Sequence, residues 1–182
     1  MKKIISILLA CMLILLQVTL TNPSCVTAST NLALGATASL LNIDGNSLDA
    51  YNSNSIASYA VDGNLTTSAQ AAKDADKRVG WTLQVDLGSV YDGIDKVVVT
   101  FPDGNYATQF FIQLSEEGTS WKNVYWTGSC TGGTNTITFP YNDARYVRLR
   151  ALKPDGMDEY FRERTDLTVE PGTWMRISEF EV

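Results

Sequence analysis

Between residues 81 and 87 apolar and polar side chains alternate, with Trp81, Leu83, Val85 and Leu87 on one parity and Thr82, Gln84 and Asp86 on the other. Successive side chains of an extended strand point to opposite faces, so this period predicts a strand with one buried and one wet face. The pattern returns at Val97, Val99 and Phe101, at Phe110, Ile112 and Leu114, at Ile137 and Phe139, at Val147 and Leu149, and at Phe180 and Val182. Clusters of Gly, Asn, Asp and Ser separate these runs, and no amphipathic helical stretch is long enough to cross over between parallel strands. The expectation is an all-β chain, an antiparallel β-sandwich of jelly-roll type with its core between two sheets. Two long loops, residues 42–56 and 153–174, are where a rigid sandwich is expected to carry binding groups.

The N-terminus breaks the pattern. Lys2 and Lys3 precede an unbroken apolar block at residues 4–16, and Val26-Thr27-Ala28 supplies small residues for cleavage. This reads as a secretory signal peptide over residues 1–28, because the block is shorter than the roughly 20 residues a spanning helix needs. Residues 29–182 then form one domain, secreted or presented at the cell surface. Loss of the signal leaves 12 Lys and Arg against 20 Asp and Glu, a mature net charge of 12 − 20 = −8. That charge disfavours nucleic acid and anionic membranes as partners. Cys11 and Cys25 leave with the signal, so Cys130 stands alone and no intrachain disulfide forms. The chain has no histidine, which removes Ser-His-Asp and Cys-His catalysis and histidine zinc sites together.

The turn at residues 59–67 gathers oxygen. Asp62 brings a carboxylate, Asn64 and Thr67 bring further oxygens, and Gly63 allows a tight bend, which is donor chemistry for calcium. The same residues also describe an ordinary Asp-Gly turn between strands, which needs no metal. Glu116 and Glu117 are adjacent and point opposite ways, a poor catalytic carboxylate pair. No enzyme is expected.

Asn31-Leu32-Ala33, Ala60-Val61-Asp62-Gly63-Asn64 with Thr67, the run at residues 81–88, the run at residues 111–121, Ala144-Arg145-Tyr146-Val147-Arg148-Leu149 and Ile177-Ser178-Glu179-Phe180-Glu181-Val182 stand in one order along the chain. In these blocks it resembles the discoidin, or coagulation factor V/VIII type C, domains, and among them the bacterial family 32 carbohydrate-binding modules. The resemblance implies one structural calcium held by the Tyr59 carbonyl, the Asp62 carboxylate, the Asn64 carbonyl, Thr67, the Ser178 carbonyl and Glu179, pinning an early loop to the final strand. It also implies a glycan held by loops at one rim of the sandwich. The galactose-binding pattern is not met: there is no histidine, Phe101-Pro102-Asp103-Gly104-Asn105-Tyr106 stands where an arginine and asparagine would fall, and Ser68-Ala69-Gln70 replaces the usual tryptophan.

A sugar offers an apolar ring face flanked by hydroxyls, so its site needs an exposed aromatic with planar polar groups beside it. The candidates are Tyr51 and Asn52 in the first long loop, Arg78, then Asp103, Asn105 and Tyr106, with Tyr106 the stacking residue, and Trp174 with Tyr160 and Phe161 in the late loop. Trp174 also suits rim packing. Trp81 and Trp121 are assigned to the core, while Trp126 suits either role. Arg148 and Arg150 share a strand face and are expected on a solvated surface, paired with carboxylates. The expected function is a non-catalytic carbohydrate-binding module, free-standing or joined to a catalytic domain in a longer polypeptide. The alternative is an adhesion or protein-interaction module of the same fold.

Overall fold

The alternation at residues 81–87 and the one at Val97, Val99 and Phe101 belong to a single strand. In the computed structural model, which describes residues 30–42, 44–71, 81–154 and 175–182, that strand is β2 (Thr82–Thr100). The others are β1 (Thr37–Leu41), β3 (Ala107–Ser115), β4 (Lys122–Thr127), β5 (Thr134–Pro154) and β6 (Glu179–Glu181), with a short 3-10 helix at Ala57–Ala60. The sheet runs β1-β2-β5-β3-β4, with β6 also paired to β2, and every pairing is antiparallel. The signal-peptide residues 1–28, Arg78, and the late loop with Tyr160, Phe161 and Trp174 lie outside the described residues.

Two strands make the sandwich by bending. The register of β2 against β5 shifts three times between Asp86 and Lys96, where Gly88 and Gly93 take φ of 86° and 78°. Such positive φ is open to glycine at no steric cost, so the strand turns without ending. Before the bend Thr82–Asp86 lies between β1 and the Tyr146–Arg150 part of β5. After it, Lys96 to Thr100 pair with the first residues of β5, and Val98 to Thr100 also pair with β6. The all-β sandwich therefore holds, but its two layers are halves of one continuous sheet.

The alternating apolar residues fill the space between the halves. Leu83, Val85, Val97, Val99, Ile112, Val147, Leu149 and Phe180 are fully buried, each such side chain contributing on the order of 1.5–3 kcal/mol. Phe101, at the end of one half, meets Phe110 of the other with ring centroids 5.9 Å apart. Trp81 is buried as expected, and its indole N–H donates to the Met175 carbonyl at 3.2 Å. The ends of the domain are tied together, the Leu32 N–H donating to the Val182 carbonyl at 2.8 Å. Cys130 is buried and free. No helix among the described residues is long and apolar enough to cross a membrane.

The outer face departs from two expectations. Trp121 is not core but half-buried, with the Arg148 guanidinium 3.7 Å above its ring. Arg148 does not pair with a carboxylate among the described residues: its Nε donates to Gln113 Oε1 at 2.7 Å. The Asp86 carboxylate is instead bidentate to Arg145, at 2.7 and 2.8 Å, and that hydrogen bonding holds Asp86 below the usual carboxylate range. Register decides the partners, since Arg148 lies opposite Gln113 and Gln84 rather than Asp86. Trp126 is 57 % exposed.

Candidate calcium clasp and ligand rim

The residues of the oxygen-rich turn converge with the last strand. The 3-10 helix ends at Ala60, and the chain then bends through Gly63 at φ 75°, where an added Cβ would stand 3.1 Å from Leu34 Cδ1. Asp62 organises the bend: its Oδ1 accepts the Asn64 N–H at 2.8 Å. The Thr67 hydroxyl stands 2.8 Å from both Asp62 Oδ2 and the Asn64 carbonyl oxygen. From the far end of the chain, Glu179 accepts the Gly63 N–H on Oε2 at 3.0 Å. Ser178, beside it, donates its N–H to the Thr100 carbonyl at 2.8 Å.

Glu179 is only 4 % exposed, and its second oxygen, Oε1, is buried with no hydrogen-bond partner. Burial pushes its carboxyl up to about 7, and the nearby charge of Asp62 adds to the rise. A buried carboxylate oxygen without a partner costs free energy that a cation would offset. Among the described residues there is no cluster of three or more His, Cys, Asp or Glu suited to a metal. These contacts bring together the Asp62 and Glu179 carboxylates, the Asn64 carbonyl and the Thr67 hydroxyl. An all-oxygen set with two charges fits a hard cation such as calcium.

A second gathering lies along the same closing segment. Ala69 and Ile177 exchange backbone hydrogen bonds of 2.8 and 3.1 Å, which sets Gln70 beside Arg176. Arg176 Nε donates to Gln70 Oε1 at 2.9 Å, and the Arg176 N–H donates to the Asn105 carbonyl at 2.9 Å. Gln70 Nε2 and Asn105 Oδ1 are both buried without a partner, one a donor and one an acceptor. Asp103 touches this group only through its carbonyl, which accepts from Asn105 Nδ2 at 3.0 Å.

The other rim candidates divide. Tyr51 is 40 % exposed, and its N–H reaches the Gln70 carbonyl at 2.9 Å. Asn52 spends its side-chain oxygen on its own turn, accepting the Asn54 N–H at 2.8 Å. Tyr106 is half-buried against the core, with a ring so close to Gly132 that an added Cβ there would lie 2.6 Å from Cδ1. Gln70 and Arg176 are rim residues that were not singled out from the sequence. The available signal for Gln70 was its place, where the resembled family carries a tryptophan; for Arg176 there was none.

The class defined here is a bent antiparallel β-sandwich whose early turn is joined to its last strand through the Gly63–Glu179 hydrogen bond. The chain matches the F5/8 type C domain over residues 27–163 and belongs to that family. Among curated proteins nothing matches the chain. Of solved structures, it is similar to chitosan-binding module 1 from a chitosanase/glucanase of Paenibacillus sp. IK-5, at 27% identity and TM-score 0.63, covering 84% of this chain and 97% of that one. Module 2 of the same enzyme, solved with chitotriose, has 23% identity and TM-score 0.62 over 83% of this chain and 98% of that one. The family 32 carbohydrate-binding module of Clostridium perfringens NanJ, solved with galactose, has 20% identity and TM-score 0.58 over 81% of this chain and 93% of that one.

Proposed function

We propose that this chain is a secreted, non-catalytic glycan-binding module that takes a neutral or amino sugar at the rim around Gln70, Asn105 and Arg176. The observation that carries the reading is the likeness, at 27% identity over nearly the whole domain, to a module that binds chitosan. The rim supports it. A buried donor and a buried acceptor without protein partners are groups that directed sugar hydroxyls would satisfy. Tyr51 is the exposed aromatic nearest in the hydrogen-bond chain, through Gln70. The mature charge of 12 − 20 = −8 suits a neutral or cationic sugar.

Calcium would be held by Asp62 and Glu179 with the carbonyls of Tyr59, Asn64 and Ser178 and the Thr67 hydroxyl. It would neutralise the two carboxylates and fix the segment that carries Arg176, so its role is to hold the rim's shape. Weak single-site affinity would be multiplied where the module is joined to a catalytic domain or repeated. A glycan array followed by calorimetric titration of any hit tests the reading. Asn105→Ala and Gln70→Ala should each weaken binding about tenfold, as loss of a directed hydrogen bond does. Retention of no glycan, with capture of a protein partner instead, would replace it with the adhesion alternative.

A further inference from the structure

We propose that the outer face of β3, β4 and β5 is a second binding site, for an acidic glycan, in which the Arg148 and Arg150 guanidinium groups hold sugar carboxylates or sulfates and Trp126 stacks on a sugar ring. The register sets these residues side by side. Gln113 lies opposite Arg148, Phe111 opposite Arg150, and Trp126 opposite Phe111. Directly opposed residues of antiparallel strands project on one face, and residues two apart on a strand share it. The face therefore carries two guanidinium groups beside two aromatic rings.

Among the described residues neither guanidinium group is paired with a carboxylate. Asp86, the carboxylate on the same face of β2, is already bidentate to Arg145. Arg148 is held in place by the Trp121 ring below it and by Gln113 Oε1 at its Nε, and Gln113 is itself fixed by donating to Asn123. A half-buried cation beside a second one, anchored among the described residues by neutral groups, is costly until an anion arrives. Burial together with the charge of Arg150 lowers Arg148 to about 10, so it still carries its proton at neutral pH. Trp126 is 57 % exposed, its ring resting against Gly128, where an added Cβ would stand 3.0 Å from Cη2. The ring meets Gly128 along its Cη2–Cζ2 edge, and more than half of the side chain is open to solvent.

Arginine forks match carboxylate and sulfate oxygens in a planar pair, and an indole matches the apolar face of a pyranose. A polyuronate offers both at modest charge density. Nucleic acid offers both too, but its dense phosphate charge is opposed by the acidic remainder of the protein. This face lies along the middle of β3, whereas the rim lies in the loop before that strand begins, so the two sites stand or fall separately.

Binding of hyaluronan and of chondroitin sulfate, measured by titration against the protein, tests the proposal, with methyl-esterified hyaluronan as the uncharged control. At least one acidic glycan should bind, the ester should not, and raising salt from about 0.05 to about 0.5 M should weaken binding several-fold. Arg150→Gln and Trp126→Ala should each lower affinity about tenfold at an unchanged melting temperature, while Asn105→Ala at the rim should leave it unchanged. Binding of neither acidic glycan would overturn the proposal. So would equal binding of the ester, indifference to Arg150→Gln, loss through Asn105→Ala, or tighter binding of single-stranded DNA.

Discussion

The clasp and the rim are closed by the same few residues, Arg176 reaching one and Glu179 the other, yet they are built differently. Within the clasp, Asp62 engages Asn64 and Thr67 at sequence separations of 2 and 5 residues, and one distant group, Glu179, completes it. The rim has no such local frame. Gln70 meets Arg176 across 106 residues, and Asn105 joins only through the backbone of Arg176. A local frame shapes its own donors and needs one partner, whereas a frame made of long-range contacts takes its shape from the whole sandwich. Ligand removal should therefore act on the clasp mainly through stability and on the rim mainly through affinity.

The largest expected effect is at the clasp. Calcium at a hundredfold excess over its Kd should stabilise the protein by about 2.7 kcal/mol, a rise of several degrees in melting temperature, and Asp62→Ala should abolish the rise. A melting curve indifferent to chelation and calcium in the native protein would show that the turn needs no metal. At the rim, Gln70→Ala removes the Arg176 acceptor and should cost about 1 kcal/mol, visible in urea unfolding whether or not calcium is present. A loss that disappears when calcium is added would mean that the two regions are one unit.

The pH dependence sharpens the comparison further. Glu179 has a folded-state value of about 7 against an ordinary 4.5, so the fold favours its neutral form. In metal-free protein its favourable contribution is fully present below about 4.5 and is lost as pH rises to about 7. Melting temperature without calcium should therefore fall across that window, and Glu179→Gln should remove this contribution. With calcium present the sign reverses, because the ion competes with the proton for the carboxylate. The smallest effect is expected for Asn105→Ala, which deletes an unsatisfied buried acceptor and one exposed hydrogen bond to the Asp103 carbonyl. Stability should change by less than about 0.5 kcal/mol while glycan affinity falls, and equal losses in both would demote Asn105 to a structural residue.

Much of this was legible in the chain. The alternation at residues 81–87, 110–114 and 147–149 named core positions that are now buried, because a period of two follows from backbone geometry alone. Asp62, Asn64 and Thr67 were named from turn chemistry, which is equally local, whereas Tyr59, Ser178 and Glu179 came in only by resemblance. The continuity of β2 was not legible: the runs at 81–87 and at Val97, Val99 and Phe101 read as separate strands, since glycine marks a turn and a bulge alike. Trp121 was read as core and Arg148 as carboxylate-paired, because alternation says which face a side chain takes but not what stands opposite.

By itself, then, the sequence determined the element type, the buried parity of the alternating runs, the acidic charge and the oxygen-rich turn, all of which depend on neighbours within a few residues. The tertiary structure alone decided that two long strands bend to make both layers, that Gln70 faces Arg176, and that Arg148 rests on Trp121. The physical reason is that register and long-range partners are selected by how the whole core packs. A one-residue shift in that packing would exchange every face and every partner.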